Sequence, residues 1–230
     1  MATPTSIPFS QQQQYRRSGT KVNMQLLSVL LFALAAGATP VKRVQEVGCD
    51  AEPWSSGKLT LSPNSELDQT CNMHLSFSGV RNSYGHQVLT IAVKESQYET
   101  FDFVPCNSTT LGWYNGISTS PAGSIRAGIL RSHNNRKYCV RAEELSSSTP
   151  TKFTAHSCNY DDDSGQVTQF WRLTTSAEGE RLEFISTSSD SSLHRVFSYN
   201  VITSDDFNGR KRLQADPSKQ DGSYLSFDHS

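Results

Sequence analysis

The sequence predicts an all-β, disulfide-stapled fold, and three observations carry that prediction. Short runs of alternating apolar and polar residues recur along the chain, each bounded by Gly, Ser, Asn or Pro. Beyond one apolar segment near the start, no run keeps a helical period. Only 35% of the 230 residues are hydrophobic, which suits a loop-rich β domain with a thin core better than a helical bundle.

Taken in order, the predicted strands are Lys58–Leu61, His74–Phe77, Val88–Val93 and Phe101–Val104. Ile125, Ala127 and Ile129 then alternate with Arg126 and Gly128, followed by Tyr138–Ala142, Phe153–Ser157 and Phe170–Leu173. Leu182–Ile185 and Phe197–Tyr199 complete the set. About ten strands at roughly 8–12-residue spacing is the pattern of a sandwich or barrel-like domain. The length fits one domain or two small ones, placed here at residues 44–208. Residues 209–230 are polar and read as a flexible tail.

The long apolar run is Leu26–Ala38, after Met24 and ending Ala36-Gly37-Ala38. Thirteen residues are too few to cross a bilayer, which needs about 20. With Arg16, Arg17 and Lys21 upstream, residues 24–38 read as a signal peptide, cleaved after Ala38. The alternative is a buried helix. Residues 1–23, with Gln11–Gln14, read as a leader whose status turns on whether Met1 or Met24 is the start. Residues 39–43 form a possible short pro-segment; Lys42-Arg43 is either a dibasic processing site or a pair of solvated charges.

A net charge of −1 offers no electrostatic case for nucleic acid or acidic membranes as partners. A secreted chain favours disulfides, and Cys49, Cys71, Cys106, Cys139 and Cys158 all follow the apolar run. An odd count leaves one thiol over. No CxxC and no Cys/His spacing points to a metal, and no cofactor is implied. Asn107-Ser108-Thr109 is a glycosylation sequon suited to a surface loop.

A weak internal repeat lays Val88–Ala92 on Tyr138–Ala142, and Thr100–Cys106 on Lys152–Cys158. Arg181–Ile185 and the strand near Phe197 suggest a third, decayed copy. Three β units closing around one axis remove exposed edges; chance similarity between short β runs is the competing account.

One stretch is more specific. Gly128-Ile129-Leu130 leads to Cys139-Val140, then Cys158, then Gln169-Phe170-Trp171. A Cys on one strand, a second Cys ending the next and Gln-x-Trp on a third resembles one repeat of the ricin B-like lectin family, most of all its short secreted fungal members. The resemblance covers Ser124–Leu173. It implies a β-trefoil in which Cys139 pairs with Cys158, worth about 3 kcal/mol for a loop of this size. It implies that Trp171 is core and that Gln169 ties a loop to backbone groups. Leu89 stands where Cys106 would find a partner in its own repeat, so Cys106 is left to Cys49 or Cys71.

Two departures bear on function. Where sugar-binding repeats of the family place an Asp after the Cys-aliphatic pair, this chain has Arg141, which cannot accept a hydrogen bond; the earlier repeat has Ile91. Where an Asn commonly precedes Gln-x-Trp, this chain has Thr168. The resemblance therefore implies a degenerate sugar site.

Asp161-Asp162-Asp163 could hold calcium through oxygen ligands, but lacks EF-hand spacing, and a solvated acidic loop is the simpler reading. In the lectin reading Tyr160 stacks on a sugar while Asp161 or Asp163 takes its hydroxyls. Trp113, in Trp113-Tyr114-Asn115-Gly116, is either a carbohydrate platform or core; Trp54 carries the same ambiguity. His133 with Asn134-Asn135-Arg136 reads as a turn. No HExxH or GxSxG occurs among the motifs, so no catalytic residue is assigned and the chain is read as a non-enzyme.

The expectation is a secreted, extracellular, non-catalytic β-trefoil with an extracellular glycan as ligand. The alternatives are a trefoil protease inhibitor, for which Ser148-Thr149-Pro150 is the loop hint, and an extracellular structural or effector protein.

Overall fold

The computed structural model describes residues 45–62, 73–77, 79–114, 118–120, 123–143, 145, 149–185, 198–203, 211–216 and 224–230. The expected leader, signal peptide and pro-segment lie outside them, as do Cys71, Asn115, Gly116, Ser148 and Phe197. The chain divides into Met1–Arg43 and Val44–Ser230, and all described residues belong to the second unit.

That unit is all-β and antiparallel. Its strands are β1 (Gly48–Cys49), β2 (Ser55–Ser62), β3 (Met73–Ser76), β4 (Thr90–Ile91), β5 (Thr100–Asn107), β6 (Ser118–Ser120) and β7 (Gly123–Ser132). They continue with β8 (Tyr138–Ala142), β9 (Thr151–Ser157), β10 (Phe170–Ser176), β11 (Gly179–Phe184), β12 (Ser198–Thr203), β13 (Lys211–Asp216) and β14 (Tyr224–Asp228). Two short 3-10 helices, Glu95–Gln97 and Ser164–Thr168, are the helical pieces among the described residues.

Six strands close a ring in chain order. β2 pairs with β5, β5 with β7, β7 with β10, β10 with β11, β11 with β14, and β14 with β2. Closure removes the open edges that would otherwise template aggregation. Three hairpins leave this ring at equal intervals: β3–β4 between β2 and β5, β8–β9 between β7 and β10, and β12–β13 between β11 and β14. Their second strands meet, since β13 pairs with both β9 and β4 and Val88 bridges Thr154.

Side-chain alternation explains the ring. Phe101 and Phe103 of β5 enter one core with Leu59, Leu130, Trp171, Leu182, Phe184 and Leu225. Val104 and Cys106, on the opposite face of β5, enter a second cluster with Val47, Leu111, Ile129 and Phe170. This is the period of two that a strand imposes. β5 and β7 approach so closely at Gly128 that a Cβ there would lie 2.0 Å from the Val104 carbonyl oxygen. Only glycine fits.

Two disulfides staple the unit. Cys139 is bonded to Cys158, the pair the resemblance implies, and Cys49 to Cys106. The second bond answers the choice between Cys49 and Cys71 for Cys106. The loops close over 57 and 19 residues, worth about 4 and about 3 kcal/mol in the chain-entropy model. Two disulfides are compatible with an extracellular protein. No helix among the described residues is long and apolar enough to cross a membrane.

Two expectations are corrected. The stretch expected as a flexible tail, 209–230, supplies two strands of the domain at Lys211–Asp216 and Tyr224–Asp228: β13 joins the three hairpins and β14 closes the ring. Leu213, Ala215 and Leu225 are fully buried and Phe227 nearly so. The domain therefore runs past residue 208 to the end of the chain. The repeat alignment is displaced by one strand. Val88 runs beside β9 rather than occupying the place of β8, and β5 takes the ring position of β10. Short alternating runs resemble one another, and the sequence offered no register mark between them.

Candidate functional site

The turn at residues 81–87 begins the site. Arg81 bridges Gln87, and Asn82 organises what lies between. Its Oδ1 accepts the backbone N–H of Tyr84 at 3.0 Å and of His86 at 2.8 Å, an Asx-type closure that substitutes for regular strand pairing. Gly85 takes a φ of +84° at the tip, a conformation that favours glycine. The turn drives Tyr84 outward, with 71% of its surface exposed.

Asn82 also reaches across to the β8–β9 hairpin. Its Nδ2 donates to Oε1 of Glu143, just after β8. The Glu143 backbone N–H donates to the Lys152 carbonyl at 2.9 Å, so both residues stand at the loop end of the β8–β9 hairpin. Ser83, Tyr84, Glu143, Thr149, Pro150, Thr151 and Lys152 line an open polar pocket of about 360 Å³. An exposed aromatic, a fixed carboxylate, an ammonium group and several hydroxyls thus converge on one concavity.

From the pocket a polar face runs down the hairpin. Arg141 follows Glu143 at the alternate position of β8, while Thr154 and His156 follow Lys152 on β9. The rings of His86 and His156 meet at a centroid distance of 3.8 Å. Burial is the first cause that holds His156 down to about 4; the neighbouring His86 and the Arg141 charge add to it. Burial also lowers Arg141, against the charge of Asp163. Nε of Arg141 donates to Oγ1 of Thr168 at 3.0 Å. Arg141 and Thr168 therefore hold each other.

These rings predict a pH dependence. The ordinary histidine value is 6.5 and that of His156 is about 4, so between those limits the unfolded chain binds more protons. Stability is full above pH 6.5 and falls as pH drops towards 4. Melting temperature measured across pH 7 to 4 should decline, and His156→Gln should flatten the decline; an unchanged slope would refute the assignment. The lowered carboxylates Asp102, Asp162 and Asp228 act only below their ordinary 3.8, a separate window.

The residues expected from the sequence lie elsewhere. Gln169 is fully buried; its Oε1 accepts the Asn159 N–H at 3.1 Å and its Nε2 donates to the Asn159 carbonyl. Trp171 is fully buried and donates Nε1–H to the Val140 carbonyl at 3.3 Å. Tyr160 is 40% exposed, and its carbonyl accepts the Val47 N–H at 2.7 Å.

Within the acidic loop, Asp162 clamps the 108–110 turn through Ser108, Thr109 and Thr110. Burial works against its charge, but these hydrogen bonds outweigh it and lower the group. Asp163 accepts from Asn159 and from the Gly165 N–H, while Asp161 is exposed. Trp113 is half-buried against the second cluster and bridges Ser108, so the loops of Trp113 and Asp161–Asp163 adjoin. Asn107 is exposed at the end of β5, and the hydroxyl of Thr109 in its sequon is held by Asp162. Among the described residues no group of three or more His, Cys, Asp or Glu could hold a metal ion.

Sequence reasoning passed over Asn82, Tyr84, Glu143 and Lys152. Asn82-Ser83-Tyr84-Gly85 is a turn signal with an aromatic inside it, the one local hint of an exposed ring. Its meeting with Glu143 depends on the packing of two hairpins.

No protein-family model matches the chain, and neither a curated protein nor a solved structure does.

Proposed function

We propose that the protein is a secreted, non-catalytic carbohydrate-binding β-trefoil of ricin B-like type, and that its working site is the Tyr84–Glu143 pocket. The observation that carries this reading is the convergence of the exposed Tyr84 ring and the pinned Glu143 carboxylate on one open polar pocket. A pyranose presents an apolar C–H face and a rim of hydroxyls. A phenol ring offers area to the first, and a carboxylate accepts hydrogen bonds from two hydroxyls. The volume lies at the small end of the ligand-pocket range, roughly 300–1,000 Å³. The six-strand ring with three inserted hairpins supports the trefoil, and the two disulfides support secretion.

The test is a glycan-array screen of the oxidised protein at near-physiological salt. Wild type should select one sugar class. Tyr84→Ala and Glu143→Gln, both at a surface pocket and leaving the core intact, should each weaken binding at least about tenfold, which is 1.4 kcal/mol. A folded wild type that binds no glycan would defeat the reading. Thr149 and Pro150, exposed at the pocket rim, favour the protease-inhibitor trefoil as the second reading in that event.

A further inference from the structure

The polar face below the pocket carries a guanidinium, that of Arg141, with no ion-pair partner among the described residues. Arg141 is half-buried, and among the described residues its hydrogen bond is from Nε to the neutral hydroxyl of Thr168. Among the described residues no carboxylate lies within ion-pair distance of its guanidinium; Asp163 acts on it only through space, and Oδ1 of Asp163 is engaged by Gly165 and Asn159. Half-buried His156 and the His86 ring tilted against it share the face, with Nδ1 of His86 buried and, among the described residues, without a partner. Oγ1 of Thr154, opposite Arg141 in the ladder, is likewise buried without a partner. Lys152 extends the positive charge to the pocket itself.

A guanidinium taken partly out of water without a counter-charge is costly, and an anion that docks against it removes the cost. The planar donor fork of Arg suits a carboxylate or sulfate group. Alternate residues on one strand face are about 7 Å apart, so Arg141 stands one sugar-sized step from Glu143. Glu143 itself would repel an acidic group placed directly in the pocket; the anion belongs at the Arg141 end, with a hydroxyl-rich ring over Tyr84.

We infer that the ligand is an acidic saccharide, whose carboxylate or sulfate binds at Arg141 beside the His86–His156 pair while a neighbouring ring occupies the Tyr84–Glu143 pocket. The inference rests on the reading of that pocket as a glycan site, and it names the ligand class. It also gives the replacement of the family's Asp by Arg141 a function: a change of ligand charge rather than loss of a site.

The experiment is calorimetric titration of the full oxidised protein with three probes: a uronic-acid oligosaccharide, its methyl ester and a sulfated oligosaccharide. At least one acidic probe should bind about tenfold or more tighter than the ester, and this preference should shrink with added salt. The better acidic probe identifies carboxylate or sulfate as the group read. Arg141→Gln should abolish the preference while keeping ester binding, and Arg141→Lys should restore part of it. Arg141→Gln is checked for an unchanged near-ultraviolet dichroism spectrum; should it not fold, loss of the preference on adding salt to wild type decides alone. Ester binding equal to both acids would overturn this inference and leave the glycan reading standing. Binding of none of the three, and of no glycan on the array, would overturn both.

Discussion

Trp171→Ala should lower unfolding stability by about 3–5 kcal/mol, the usual cost of removing a fully buried aromatic side chain. Trp171 has no exposed surface. Its ring meets Phe153 at 5.0 Å and Phe184 at 5.3 Å between centroids, and those two rings meet each other at 5.2 Å. The three come from β10, β9 and β11, so the cluster joins two ring strands to a hairpin. The indole N–H adds a tie to the Val140 carbonyl on β8. Trp171→Phe keeps most of the apolar area and should cost less, chiefly for the lost hydrogen bond. Denaturant unfolding at unchanged slope measures both changes. A Trp171→Ala protein of normal stability that has lost glycan binding would place the ring in a site and not in the core.

The second large effect is expected at Asp102. Its carboxylate is fully buried on the side of β5 that faces away from the main core. Ser56 of β2 and Arg131 of β7 are its direct ladder partners. Oγ of Ser56 donates to Oδ1 at 2.8 Å, and Nδ1 of His133 lies 2.8 Å from the same oxygen. Nε of Arg131 lies 3.4 Å from Oδ2. Burial works against the charge, but the hydrogen bonds from His133 and Ser56 and the electrostatic influence of His133 and Arg131 outweigh it, so the group titrates below its ordinary 3.8. Asp102→Ala removes a carboxylate that joins three adjacent ring strands and leaves Arg131 buried with an uncompensated charge. Breaking a buried pair from one side costs about 3–5 kcal/mol. Thermal and denaturant unfolding should show this loss at pH 7. Because the native group is the stronger acid, its contribution is present above pH 3.8 and fades as pH falls below it; the mutant should therefore converge on wild type in strong acid. A difference under 1 kcal/mol at pH 7 would show that the network contributes little.

Much of the ring was legible in the sequence because its strands carry the period of two plainly. Phe101 and Phe103, Ala127 with Ile129, and Leu182 with Phe184 mark β5, β7 and β11 by their alternation alone. The last two strands were hidden by their flanks. Leu213 and Ala215 stand between Lys211-Arg212 and Asp216-Pro217, and Leu225 and Phe227 between Tyr224 and Asp228-His229. Each strand has only two fully inward residues, and mean polarity masks so short an alternation. The candidate site was less legible, for a different reason. Tyr84 and Glu143 are 59 positions apart in the sequence, and what joins them is the Asn82 amide, whose Oδ1 closes a turn while its Nδ2 crosses to another hairpin. The aromatic-plus-carboxylate chemistry sought at Tyr160, Asp161 and Asp163 recurs at Tyr84 and Glu143. At the first place Asp162 and Asp163 already serve the loops around them, whereas Glu143 lines an open pocket with one oxygen held by Asn82.

The most direct test of the account is amide and side-chain shift mapping of the oxidised protein, titrated with the saccharide that binds best on the array. The account predicts shifts concentrated at Asn82, Tyr84, Glu143, Thr151 and Lys152, spreading to Arg141 and His156 when the saccharide is acidic. Shifts centred on Trp113, Tyr160 and Asp161, or none at saturating saccharide, would contradict it.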